Sequence, residues 1–159
     1  MPRHKTEDYS REIGVDPIYN SELVQKLINV IMEKGKKNTA RRIVYDALDI
    51  LSKKAGDRDK GLMLFQRAFN QVIPAVEVRP RRVGGSVYQI PVEVHKKRAQ
   101  SLALRWITGS AQSRSNKTMG ERLGYELLEA SEGRGNAVKK KIDTHKMAES
   151  NRAFAHFAW

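Results

Sequence analysis

Residues 79–98, RPRRVGGSVYQIPVEVHKKR, set six Lys/Arg and one Glu around a glycine pair and an alternating apolar run. Guanidinium and ammonium groups gathered in this way donate charge-assisted hydrogen bonds, for which phosphate and carboxylate oxygens are the best acceptors. A second group, EKGKKNTARR at 33–42, holds five Lys/Arg and one Glu where one helix gives way to the next. There Lys36 and Lys37 precede a helix N-terminus, whose open backbone N–H groups and dipole already favour an anion. A third group puts Lys97, Arg98, Gln100 and Arg105 on the polar side of a later helix. A fourth, Lys139, Lys140 and Lys141, fans over ~300° of a helix at ~100° per residue, with Arg134, Lys146 and Arg152 nearby. Each run alone reads as a solvated face, since surface lysines are common. Their recurrence in a terminal arm, a loop, a hairpin and two helices points instead to a surface for a polyanion.

The whole chain agrees. Its 159 residues carry 30 Lys/Arg against 18 Asp/Glu, a formal net charge of +12. Such a surface repels itself and suits a polyanionic partner, nucleic acid first and anionic lipid second. Other chemistries find little support. Without cysteine there is no disulfide, thiolate ligand or cysteine nucleophile. His4, His95, His145 and His156 form no i, i+4 pair and no metal-ligand pattern with carboxylates. GKK at 35–37 is not a phosphate-binding loop, because Val30 stands where that motif has glycine and Lys37 where it has Ser or Thr. VGGS at 83–86 lacks the strand-to-helix context of a dinucleotide fingerprint, and no Ser/His/Asp set is recognisable. No catalytic residue, cofactor, metal or small-molecule substrate is therefore expected. The longest apolar runs fall far short of the ~20 residues that span a bilayer, and MPRHKTEDYS lacks the apolar segment of a signal peptide. A soluble, cytoplasmic protein with no membrane contact is expected.

The elements that must position these groups follow from the hydrophobic pattern. The length suits one domain of ~100–200 residues. Residues 1–19, with Pro2, Gly14, Pro17 and no helical period, read as an extended arm ordered by whatever holds it, or as a plain floppy terminus. Helix one opens at Asn20 or Ser21, sets Leu23, Leu27, Val30 and Ile31 on one face and stops at Gly35. Helix two runs from about Thr39 to Gly56, with Ala40, Ile43, Val44, Ala47, Leu48 and Leu51 on its apolar side. Helix three carries Leu62, Phe65, Ala68, Phe69, Val72 and Ile73 and is stopped by Pro74, which has no N–H to continue the ladder. In residues 75–93, Val76 and Val78, then either Val87 and Gln89 or Tyr88 and Ile90, alternate as strands do, and GGS supplies the positive-φ turn of a hairpin. A lone hairpin is marginal in water, so it packs on the helices or is ordered by a partner.

Helix four takes Ala99, Leu102, Ala103, Trp106 and Ile107 as its stripe. Helix five takes Met119, Leu123, Leu127, Leu128 and Ala130, although Gly120 and Gly124 each lower helical propensity by ~1 kcal/mol relative to Ala. Helix six starts near Asn136, carries Val138, Ile142, His145 and Ala148, and ends around Phe154. The expected fold is mainly α. It is a six-helix single domain at 20–154, with a β-hairpin arm (75–93) protruding between helices three and four, an extended N-terminal arm at 1–19 and a C-terminal tail at 155–159. Trp106, inside an apolar stripe, reads as core. Tyr88 reads equally as core or as a platform on which an unpaired base stacks, and His145 reads as a partly buried, satisfied histidine.

The motifs DPIYNSELVQKLINVIMEKGKK (16–37), RRVGGSVYQIPVEV (81–94), LALRWI (102–107), NKTMGERLGYELLEA (116–130) and AVKKKIDTHKMAESNRAFAHFAW (137–159) cover nearly the whole chain in order. Through them the sequence resembles the small-subunit ribosomal protein seven family in its bacterial or organellar form. The resemblance implies a structural protein without enzymatic activity: a helical domain with a protruding hairpin that binds the small-subunit ribosomal RNA in the head domain. It further implies that the protein nucleates assembly of the head, lies near the exit-site tRNA and the mRNA, and has neighbouring small-subunit ribosomal proteins as partners. Carried over residue by residue, Lys36, Lys37, Arg81, Arg82, Gly84, Gly85, Arg98, Arg105, Lys117, Thr118, Lys139, Lys140 and Lys141 match family positions near RNA. Arg3 matches the start of the family's RNA-contacting arm, and Arg79 and Tyr88 belong with the hairpin group.

Two departures stand out. The arm is diluted by Glu7, Asp8 and Glu12, which balance Arg3, Lys5 and Arg11, where many relatives are more basic. The linker KKAGDRDKG matches no family motif. The main alternative is an architectural DNA-binding protein that uses the hairpin as a groove-entering arm. An enzyme acting on nucleic acid is a distant third.

Overall fold

The computed structural model describes residues 12–157. Six α-helices occur in the expected order: α1 (Glu22–Ile31), α2 (Lys37–Ala55), α3 (Arg58–Val72), α4 (Lys96–Gln112), α5 (Met119–Ser131) and α6 (Asn136–Ser150). The strands β1 (Val76–Val83) and β2 (Ser86–Glu93) form an antiparallel hairpin between α3 and α4. A 3-10 helix, Arg152–Phe157, follows α6 and runs through the point at 154 where helix six was expected to end and a tail to begin. Most of the expected N-terminal arm, residues 1–11, and residues 158–159 lie outside the described residues.

Local chemistry sets the helix ends. The Ser21 hydroxyl accepts from the Val24 N–H and starts α1, Asp57 accepts from the Arg58 N–H and starts α3, and Gly56 closes α2 at φ 80°. Thr118 and Glu121 form a reciprocal capping box at the start of α5. Helix α1 ends at Ile31, short of Gly35, because Lys34 and Gly35 both take positive φ in the turn that follows.

The core is built from Val24, Leu27 and Ile28 of α1, Val44, Leu48 and Leu51 of α2, Phe65 and Phe69 of α3, Ile107 of α4, and Leu123 and Leu127 of α5. Two expected faces are rotated. In α1 the apolar residues outnumber what one face can hold, and the buried arc centres on Val24, Leu27 and Ile28, leaving Leu23 and Ile31 half-buried and Val30 exposed. In α6 the buried residues are Ala137, Val138 and Ala148, while Ile142 is exposed.

Gly120 and Gly124 have a positive role beyond their propensity cost. A Cβ at Gly120 would come within 2.8 Å of Asp46 Cβ, and one at Gly124 within 2.8 Å of Ile50 Cδ1. The two glycines let α5 lie directly on α2. Where α4 meets α5 and α6 the link is polar: Arg114 Nε donates to the fully buried Glu126 at 2.6 Å, its amino groups pair with Glu129, and the Ala137 N–H donates to Glu126 at 2.8 Å.

Candidate nucleic-acid interface

The hairpin turns on Gly84 and Gly85, at φ 57° and 87°, which is the two-residue turn that matches the twist of the flanking strands. Register pairs Glu77 with Val92, Arg79 with Ile90 and Arg81 with Tyr88 on one face, and Val78 with Pro91, Pro80 with Gln89 and Arg82 with Val87 on the other. Of the two alternations the sequence allows, tertiary packing selects Tyr88 and Ile90 as the inward set: Ile90 is buried, whereas Val87 is 62% exposed. The neighbouring arginines Arg81 and Arg82 therefore point to opposite faces, as successive strand residues must. Pro80 and Pro91 lie within strands that are both edges of a two-stranded sheet, where proline is tolerated and discourages a further strand from pairing.

Tyr88 meets Phe154 and Phe157 of the 3-10 helix, with ring centroids 5.0 and 5.8 Å apart. The aromatic thus anchors the C-terminal segment to the hairpin. Its half-buried ring has intramolecular partners, the core-like member of the pair of readings above.

The root of the hairpin holds a charged cluster. Glu77, almost fully buried, accepts from Arg79 Nε at 2.5 Å, and Arg98 Nε reaches both of its oxygens at 2.9 Å. Burial pushes the Glu77 carboxyl up, but the hydrogen bonds from Arg98 and Arg79 outweigh it and hold the group below the ordinary carboxylate range. Beside it, the His145 imidazole of α6 accepts the Ala75 N–H at 3.2 Å, and Lys141 donates to the Gln71 carbonyl at 2.7 Å, near the C-terminus of α3. Lys141 is half-buried by that bond, whereas Lys139 and Lys140 are exposed. The helix turn thus divides the lysine run between an internal and an external duty.

A second cluster lies at the far end of α4. Lys36, Thr39, Gln112 and Met119 border one hollow of about 300 Å³, which brings the 33–37 turn beside the loop carrying Lys117 and Thr118. Lys36 occupies the N-cap position of α2 without a side-chain capping bond, and Lys37 opens the helix, both exposed. The Thr118 hydroxyl is committed to the Glu121 N–H at 3.2 Å, while Arg122 braces the loop through the carbonyls of Asn116 and Gln112. Lys117 is exposed at its crest.

Helix α4 joins the two clusters. Arg98, Arg105 and Gln112 recur every seven residues, nearly two turns, and with Ser101 and Gly109 they form one exposed stripe. A Cβ at Gly109 would meet nothing within 4 Å. Small and basic side chains thus line a face ~20 Å long at ~1.5 Å per residue, with cations at both ends. Among the described residues no group of three or more His, Cys, Asp or Glu could hold a metal ion, and no helix is long and apolar enough to cross a membrane.

The sequence model of the family described as ribosomal protein S7p/S5e matches residues 2–152. The chain belongs to that family. Among its relatives, the small ribosomal subunit protein uS7 of Acetivibrio thermocellus is 53% identical over 159 residues, spanning 100% of both chains. The uS7 of Dehalococcoides mccartyi is 49% identical over 159 residues, again 100% of both, and that of Methylobacterium radiotolerans is 52% identical over 157 residues, 99% of this chain and 98% of the relative. Membership of the S7p/S5e family makes the chain a structural ribosomal protein and not an enzyme. The fold, with its hairpin between the third and fourth helices, is the one the family resemblance implied.

Arg3 lies outside the described residues. Of the described candidate residues, Arg79 and Arg98 meet at the hairpin root, Lys36, Lys37 and Lys117 lie at the far end of α4 with Arg105 between, Arg81 and Arg82 stand near the hairpin tip, and Lys139 and Lys140 are exposed on α6. The sequence reading missed Glu77, whose place in VEVR suggests a solvent-facing strand residue, and Gln112, which repeats the seven-residue step from Arg98 to Arg105, with Gly109 one helical turn beyond Arg105.

Proposed function

We propose that the chain is a structural constituent of the small ribosomal subunit, cytoplasmic with the ribosome, and that it binds the ribosomal RNA of the head domain and nucleates its assembly. The hairpin tip, with Arg81, Arg82 and the bare Gly84–Gly85 turn, is the part that lies near the exit-site tRNA and the messenger, and neighbouring small-subunit proteins complete its surroundings. The observation that carries this reading is the open α4 stripe between two basic clusters, on a chain of net charge +12. A folded RNA meets such a face through phosphates and shape, with little reading of base edges.

The name its relatives bear, small ribosomal subunit protein, supports the same assignment. The test is binding of the full chain to a head-domain ribosomal RNA fragment over a salt series. Counterion release makes log affinity fall steeply with log salt, losing ~10³–10⁵ between 50 and 200 mM if some six to ten phosphates are engaged. A flat plot overturns the electrostatic mechanism, and a preference for duplex DNA in competition overturns the choice of RNA. Replacing Lys36 and Lys37 together with Ala weakens binding without unfolding the domain. Unchanged affinity removes that turn from the site.

A further inference from the structure

Glu77 is an acid in the middle of a surface that otherwise gathers cations, and it is the only acidic residue of β1. Its side chain is 8% exposed, while the side chains of Arg79 and Arg98 that enclose it are each 46% exposed. Arg79 stands two residues along the same strand face, so its guanidinium folds back onto Glu77 Oε1 through Nε and Nη2, each at 2.5 Å. Arg98 comes from the first turn of α4 and gives only Nε, shared between the two carboxylate oxygens. Three N–H groups on one carboxylate orient the two guanidiniums, while both arginine side chains stay about half exposed. Two cations against one anion leave a net positive site.

We infer that Glu77 is a positioning residue: it holds Arg79 and Arg98 as a paired fork for a phosphodiester of the bound RNA. The inference rests on the RNA-binding reading above. A planar guanidinium recognises phosphate bidentately only when its orientation is set, and a long side chain held in advance loses less entropy when it binds. Glu77 supplies that constraint from a buried position that no phosphate reaches.

Charge alone predicts the opposite, which makes the inference testable. Glu77→Gln raises the net charge by one and, on electrostatics, tightens binding to any RNA. On the positioning account, E77Q weakens binding to the structured head-domain fragment by ~10-fold or more and makes the salt slope shallower by roughly one phosphate. Binding to poly(U), the unstructured probe, stays equal or tightens. Arg98→Lys keeps the charge and loses the fork, so it shows a similar loss, and the double variant E77Q/R98K loses little more than either alone.

Amide exchange across β1 and β2 reports whether the hairpin is intact. If E77Q melts it, R98K and Arg79→Lys in the native Glu77 background carry the test, and full affinity in both overturns the inference. E77Q that keeps an ordered hairpin and binds the structured fragment as tightly as the parent chain overturns it too. If the parent chain itself does not bind the fragment, the ribosomal RNA reading falls first and takes the role of Glu77 with it.

Discussion

The hydroxyl of Tyr45 on α2 donates to Oδ1 of Asp16 at 2.7 Å, while Oδ2 of the same carboxylate accepts the Ile18 and Tyr19 N–H groups at 3.0 Å. One fully buried carboxylate thereby fastens the segment before α1 to the helical body. Tyr19 packs 5.9 Å from the Tyr45 ring, and the Arg58 guanidinium covers Tyr19 at 4.6 Å. The turn that leads into α1 is thus fixed to α2 and α3.

Tyr45→Phe is expected to lower unfolding free energy by ~1–2 kcal/mol, because Asp16 keeps its backbone donors and loses one side-chain donor. Denaturant midpoints measure it. Burial, and then the bond to Asp16, push the Tyr45 hydroxyl up to about 12 from the ordinary 10.0. The folded value lies above the unfolded one, so this stabilisation is whole below about pH 10 and is lost as pH rises towards 12. The Phe variant lacks that alkaline limb, and a variant that retains it places the limb on another group.

The glycines of α4 and α5 should respond with opposite signs. Gly124→Ala drives a Cβ towards Ile50 Cδ1 and Cβ, at 2.8 and 3.2 Å, and is expected to cost ~1–3 kcal/mol despite the better helical propensity of alanine. Gly109→Ala meets nothing within 4 Å and is expected to gain ~0.5–1 kcal/mol. Paired denaturant curves decide, and a stabilising Gly124→Ala disproves close apposition of α5 and α2.

Arg114→Met removes the cation from Glu126, which is fully buried and also accepts the Ala137 N–H. Leaving that carboxylate unpaired is expected to cost ~3–5 kcal/mol. Arg114→Met with Glu126→Leu should recover part of this, since an apolar pair of similar volume removes the stranded charge. Thermal unfolding of the two variants against the parent gives the ordering.

Acid stability should depend on His145. Burial, and then the charge on Lys141, hold its pKa below the ordinary 6.5, and the ring accepts the Ala75 N–H as the neutral form. The folded value lies below the unfolded one, so the stabilisation is present above about pH 6.5 and fades as pH falls through the depressed value. His145→Gln should flatten the loss of stability between pH 7 and 5 relative to the parent. Identical profiles would remove His145 from the acid response.

Local order was readable along the chain wherever the cause is local. The apolar repeat of α2 and α3, the stops at Gly56 and Pro74 and the Gly84–Gly85 turn each depend on a few adjacent residues. Faces were harder. Where α1 has more apolar residues than one face needs, the burial of Val24 and Ile28 over Val30 is decided by what α2 and α4 present to it.

The sequence by itself determined the six helices, the hairpin between the third and fourth, the excess of positive charge and membership of the S7p/S5e family, because periodicity, caps, charge and motif order are properties of the chain as written. Only the tertiary structure decided that Tyr88 closes on Phe154 and Phe157, that Arg81 and Arg82 part company across the hairpin, and that Glu77 turns inward between two arginines. Those outcomes depend on which strand phase the helices cover and on partners distant in sequence. Burial energy is realised only when the partner surface arrives, so no local pattern encodes it alone.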